Sequence, residues 1–316
     1  ETVWRDAENP ALDALSLGQW ALPLLLTQDV ERGLITWDFV PVPPVKQLPN
    51  QMLAQISLPP RFFGRRSELR TLKSRMNDRG QPLRQLLITG AGGQGKTALA
   101  GKLAQDWERR GYRVLAYSAR PENSWDEFEF ELEMLLSAAN AEEYDRRLPR
   151  LTTDKRKAAF MLRLLMQQFE GRLLLFFDNL ESVQDEQTQG LIDERLVAWI
   201  EAAQALTGSG LILLLTSRWR LPGWADEAHW ALAKATRGDF QRMALGLVAQ
   251  GQLDRGFLLD KVRVRRVYET LYGNGRGLTF FAAAAQQMAE WLARRAPHVR
   301  LRAGLRRGGG ACGKPT

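Results

Sequence analysis

Gly90, Gly92, Gly93 and Gly95, followed at once by Lys96 and Thr97, form a run suited to holding phosphate. Backbone N–H groups can wrap an anion only where side chains do not intrude, which glycines at these spacings permit. A helix opening at Lys96 would add the positive end of its dipole. Lys96 is then spaced to reach the β- and γ-phosphates of a nucleotide, and the Thr97 hydroxyl to hold Mg²⁺. Composition alone would produce Gly-x-x-x-x-Gly-Lys-Ser/Thr in a chain this long on the order of one time in a hundred.

Three further groups could complete such a site. Asp178 ends the apolar run 173–177. An acid at the carboxyl end of a buried strand lies on the edge where α/β sheets take ligands, and there it can hold Mg²⁺ together with Thr97. Asn179 follows where a second acid would serve a hydrolase, so the catalytic base is not clearly placed; Glu181 is a candidate, and equally an ordinary loop carboxylate. The run 211–215 ends in Thr216, Ser217 and Arg218, whose guanidinium is suited to sensing a γ-phosphate. Arg220 reads as ordinary surface. Upstream, Phe63 and Gly64 precede Arg65 and a helix start. Phe63 could pack near a nucleotide base, with backbone groups at Gly64 reading its edge, or it could be one half of a hydrophobic staple; physics alone does not choose.

The elements that must position these residues alternate as in a parallel α/β sheet. A strand at 86–89 leads into the glycine run, and helix 97–110 carries Leu99, Leu103 and Trp107 at helical spacing until Gly111 ends it. A strand at 113–118 follows. Ser124 and Glu127 form a capping box for a helix bearing Phe128 and Leu132, although 128–134 also alternates strictly and a strand stays possible. A helix near 153–169, strand 173–177, helix 189–205 and strand 211–215 come next. The two strands lack alternation, as strands buried on both faces should. Beyond about 236 the pattern turns helical. The predicted fold is therefore α/β, a central parallel sheet flanked by helices and followed by a smaller helical lid.

Composition narrows the function. The 316 residues, 45% of them hydrophobic, suffice for one large domain plus smaller pieces. A single cysteine, Cys312, excludes a disulfide framework and suggests a reducing, cytoplasmic setting; with only His229 and His298 beside it, no Cys/His zinc site can be assembled. No apolar run approaches the roughly 20 residues of a membrane span. Residues 294–316 carry seven cations and no acid, so they supply +7 of the net +8. The body is close to neutral, which argues against nucleic acid as partner. The expected organisation is a block at 1–40 that ends an upstream domain, a proline-rich linker at 41–60, the phosphate-binding domain at 61–235, the lid at 236–292, and a basic, disordered tail at 293–316. The chain starts at Glu1, without initiator Met or signal-peptide pattern, and reads as a fragment.

Taken together, Phe63-Gly64-Arg65 with Glu68, Gly90 to Thr97, Leu173 to Asp178 and Leu211 to Arg218 resemble the STAND class of P-loop NTPases, relatives of the NB-ARC and NACHT modules. Gly273 to Leu278 resembles that class's Gly-x-Pro-x-x-Leu lid element, with Gly275 in the proline position. The resemblance covers roughly 61–292. It implies ATP as ligand and strand 211–215 lying between the phosphate-loop and Asp178 strands. It also implies slow hydrolysis that controls self-association and the attached effector and sensor domains. Gly18 to Leu25 is similar to the closing segment of CHAT domains, which occur fused to such ATPases. Two other functions compete: an AAA+ motor, which needs a clear carboxylate beside Asp178, and an ATPase gating a DNA-binding regulator.

Overall fold

The computed structural model describes residues 62–305 apart from 121 and 122, together with Ile56 and Leu58; side chains are described as far as 291. The block at 1–40, its likeness to CHAT domains, most of the linker at 41–60, and residues 306–316 with Cys312 lie outside the described residues.

Five parallel strands form one sheet: β1 (Gln85–Thr89), β2 (Arg113–Ser118), β3 (Leu173–Asp178), β4 (Ile212–Ser217) and β5 (His229–Ala231). Their order across the sheet is β2-β3-β4-β1-β5. β4 therefore lies between β1 and β3, in the position that the resemblance implies. Register pairs Thr89 with Ser217, and Ser118 with Asp178, so the ends of these strands share one edge.

Both faces of the sheet are covered, which explains the unbroken apolar runs: every residue of β3 and β4 is buried. Leu86, Ile88, Leu174, Phe176 and Leu214 face α1 (Arg66–Met76) and α2 (Lys96–Glu108). Leu87, Leu175, Phe177, Leu213 and Leu215 face α3 (Trp125–Met134), α4 (Ala138–Arg147), α5 (Asp154–Gln168) and α6 (Glu194–Leu206). The ambiguous segment 128–134 is helix. Its alternation arises because Phe128 and Leu132 are buried four residues apart, whereas Phe130 and Met134 form a second, exposed pair. Ser124 caps it by accepting from Glu127 N–H.

Two expectations need correction. The helix expected from 189 starts at Glu194, because Asp193 accepts from the N–H groups of Arg195 and Leu196 and fixes the start there. Before it, Asp185 organises a turn and Gln184 bridges Leu191. In addition, α4 had no counterpart in the sequence reading: Tyr144 is its one buried side chain, so it has no apolar period to detect.

The C-terminal part is helical, with α7 (Arg237–Ala249), α8 (Arg255–Leu259), α9 (Lys261–Thr270) and α10 (Gly275–Leu305). Phe240, Ala244, Phe257, Val264 and Leu278 make its own small core. The backbone of α10 continues to Leu305, where a disordered tail was expected from 293. No helix among the described residues is long and apolar enough to cross a membrane.

Candidate functional site

β1 ends at Thr89, and the chain then turns through residues 90–95 into α2. Gly90, Gly93 and Gly95 all have positive φ, at 149°, 76° and 91°. The glycine at 93 is also required by space: a Cβ there would stand 2.8 Å from Arg276 Cβ and would press on the Asn274 amide. Lys96 opens α2 and is 7% exposed; its Nζ donates to Gly90 O at 2.8 Å and lies 3.3 Å from Glu181 Oε1. Inside the loop, Gln94 Oε1 accepts from Ala91 N–H at 3.1 Å.

Because β4 lies between β1 and β3, their ends bring three distant segments together. Thr97 Oγ1 donates to Asp178 Oδ1 at 2.8 Å, and Thr216 Oγ1 donates to the same oxygen at 2.5 Å. Thr216 in turn accepts from Asn179 N–H at 3.0 Å. Asp178 is 1% exposed, and its Oδ2 has no partner among the described residues. Burial pushes its pKa up, while the Thr216 and Thr97 hydroxyls pull it down and Glu181 adds to the rise. A buried carboxylate oxygen with no donor is what a cation or its bound water would satisfy. Thr97 and Asp178 thus fit Mg²⁺, and the opened loop with Lys96 fits phosphate. Glu181 sits on the short turn Leu180–Val183, and its Oε2 is also buried without a partner among the described residues.

The other expected residues fall into two groups. Arg218 is exposed and reaches the loop: its Nη2 lies 3.5 Å from where a Cβ of Gly92 would stand. Phe63 and Gly64 instead meet the lid. The Phe63 ring lies on Gly246 of α7, with Cζ 2.5 Å from a notional Cβ, and Gly64 packs against Asp239 and Met243.

Several residues of this neighbourhood were not foreseen as site groups. Arg65 is buried in a left-handed backbone conformation with φ 54°. Its guanidinium pairs with Glu68 at 2.8 Å and donates to Gln94 O at 3.2 Å and Ala233 O at 2.6 Å. Asn274, at the start of the lid's last helix, donates from Nδ2 to Gly92 O at 2.7 Å, and Arg276 N–H donates to Gly93 O at 3.3 Å. Thr89 Oγ1 lies 2.7 Å from His229 Nε2; burial and Arg220 lower the His229 pKa against a smaller opposing effect of Asp226. For Arg65 and Asn274 the sequence did contain a marker, since both lie inside the motifs that carried the family resemblance.

No curated protein matches the chain by sequence. Among solved structures, a replication initiator DnaA bound to AMPPCP and single-stranded DNA is 17% identical. The match covers 79% of this chain and 69% of that one, with a TM-score of 0.43. AMPPCP-bound DnaA from Aquifex aeolicus is 14% identical over 68% and 64% of the two chains, with a TM-score of 0.38. A STAND protein with a tetratricopeptide repeat sensor from Pyrococcus horikoshii is 16% identical over 68% of this chain and 28% of that one, with a TM-score of 0.43. At such values these likenesses say nothing of what this chain binds. The model of the AAA ATPase domain, however, matches residues 61–248, more than half of the sequence, and takes in the loop, Asp178 and Arg218 together: the chain belongs to the AAA ATPase domain family.

Proposed function

We propose that the chain is the ATP-binding switch module of a larger, STAND-type signalling protein, hydrolysing ATP slowly. The observation that carries this reading is the contact of the lid with the phosphate loop through Asn274 and Arg276 N–H. A lid bonded to the loop responds to whatever the loop holds, because a ligand shifts the two states only by its different affinity for them.

In this reading Lys96, Thr97 and the loop N–H groups bind the triphosphate, and Thr97 with Asp178 holds Mg²⁺. Mg²⁺ held there would supply positive charge that offsets the negative charge of the phosphates. Thr216 keeps Asp178 oriented, and Arg218 contacts the γ-phosphate. Lys96 exchanges its bonds to Gly90 O and Glu181 for phosphate oxygens, which frees the Glu181 carboxylate to orient water. Asn179 accounts for slow turnover: its side chain donates to Ala119 O at 3.1 Å and cannot act as a base. That supports a switch over a motor. Residues 61–235 would form the nucleotide-binding part and 236–292 the lid. The preceding block at 1–40 and the linker at 41–60 would lead from a CHAT-like effector, and self-association would run through the ATPase module.

Thermal unfolding of the full chain with Mg·ATP, Mg·ADP or Mg·GTP, alongside phosphate release, tests the proposal. Adenine-selective stabilisation with release slower than about one per minute is expected; motor ATPases turn over far faster than that, typical enzymes at roughly 1–10³ per second. Rapid release would overturn the switch, and no stabilisation by any nucleotide would overturn the site.

A further inference from the structure

Asp178 has a buried neighbour on β2. The parallel register of β2 and β3 sets Ser118 beside Asp178. Side chains alternate between the two faces along a strand. Val114 and Ala116 lie in the core under α1 and α2, and Tyr117 lies in the opposite one. Ser118 therefore takes the α2 face, on which Asp178 accepts from Thr97. Neighbouring strands stand about 4.8 Å apart, so the two side chains adjoin. Thr216, on β4, holds Asp178 from the other flank.

The two flanking hydroxyls behave differently. Thr216 Oγ1 donates to Asp178 Oδ1, the oxygen that also accepts from Thr97. Ser118 is 2% exposed, and its Oγ is buried with no hydrogen-bond partner among the described residues. Asp178 Oδ2 is buried in the same condition. Arg120, just beyond β2, favours the charged form of Asp178, but its side chain is exposed and forms no bond to that carboxylate among the described residues. A buried hydroxyl left without a partner costs stability. The packing of β2 does not ask for one, since Val114 and Ala116 fill the same face with apolar groups.

We propose that Ser118 is a positioning residue for the divalent cation, its hydroxyl holding a water molecule of hydrated Mg²⁺ beside Asp178. The inference rests on the reading of Thr97 and Asp178 as the Mg²⁺ site. Mg²⁺ gives up its waters reluctantly and keeps several when one or two protein groups bind it. Such a site needs partners for the waters as well as for the ion. One water donating to both Asp178 Oδ2 and Ser118 Oγ satisfies two buried atoms at once. Ser118 then acts on the cation through that water, and on the nucleotide only through the cation.

The test is equilibrium titration of the full chain with fluorescent N-methylanthraniloyl-ADP, once in Mg²⁺ and once in EDTA, for the wild type and Ser118→Ala. In Mg²⁺ the variant should bind about tenfold more weakly, the low end of what losing an outer partner of a metal site costs. In EDTA the two proteins should bind alike. Chemical denaturation without nucleotide should find Ser118→Ala as stable as the wild type or more so, because the substitution removes a buried hydroxyl that has no partner. Simple damage to the fold would not weaken binding in Mg²⁺ alone while sparing stability. Equal affinity of variant and wild type in Mg²⁺ would overturn this inference and leave Thr97 and Asp178 as the metal site. Equal losses in Mg²⁺ and EDTA, or a less stable nucleotide-free variant, would overturn it by giving the hydroxyl a structural role. A wild type that binds no more tightly in Mg²⁺ than in EDTA would overturn the metal site itself, and this inference with it.

Discussion

On its sheet side the phosphate loop rests on Thr97, Asp178 and Thr216, joined by hydroxyl–carboxylate bonds where three strands end in a buried layer. On its lid side it is held by Asn274, whose bond to Gly92 O is solvent-exposed, and by the N–H of Arg276. The first arrangement is fixed by the order of the sheet and leaves an orphan carboxylate oxygen in a dry place. The second is local, exposed and easily exchanged for water. Elements that respond to ligands are drawn from the low-stability end of a structure, and groups that do chemistry from its rigid part. Here both meet on one loop of six residues between β1 and α2.

The contrast can be broken from either side. The largest effect is expected for Lys96→Ala. A hundredfold excess of Mg·ATP over its dissociation constant should stabilise the wild type by about 2.7 kcal/mol and the variant not at all. Calorimetric melting with and without nucleotide measures this, and retained stabilisation would remove Lys96 from the site. Gly246→Ala should come next, because its Cβ meets the Phe63 ring. A loss of about 2 kcal/mol in chemical denaturation is expected, with nucleotide affinity altered far less than by Lys96→Ala.

Asp178→Asn should act in the opposite direction on stability. It removes a buried charge while the amide oxygen can still accept from the Thr97 and Thr216 hydroxyls, so the nucleotide-free protein should gain about 1 kcal/mol while Mg²⁺-dependent nucleotide binding is lost. The pH dependence carries the same sign. Because folding raises the Asp178 pKa, the folded chain takes up a proton before the unfolded one as pH falls. Stability from this group therefore increases on acidification, from the raised value down to about 3.9, and the Asn variant should lack that component. The smallest effect belongs to Asn274→Ala, about 1 kcal/mol or less. Hydrogen exchange should quicken in the first turn of α10 and stay unchanged in β4; equal acceleration in both would show that lid and sheet open as one.

The same division separates what was legible in the sequence from what was not. Gly90 to Thr97 and the apolar runs before Asp178 and Arg218 were visible because each obeys a local rule: a glycine spacing, or burial on two faces. The bond from Thr216 to Asp178 joins residues 38 apart and exists only because β4 is inserted beside β3, which the residues themselves did not dictate and only the family likeness implied. Phe63 was left between base packing and a staple; what no local rule could show is that its ring lies on Gly246, far along the chain. β5, three residues long, has no room for a pattern. The start of α6 was misplaced by five residues because the turn around Asp185 shows no break in composition, although Asp193 as cap could have located it.

Arg65 joins three pieces of chain at once: its own segment through Glu68, the loop through Gln94 O, and the run into the lid through Ala233 O. A guanidinium presents its donors in a rigid planar fork, so the three acceptors hold one another in register through it. A load that reaches Arg65 along the chain would be shared between the loop and the lid before either could move without the other.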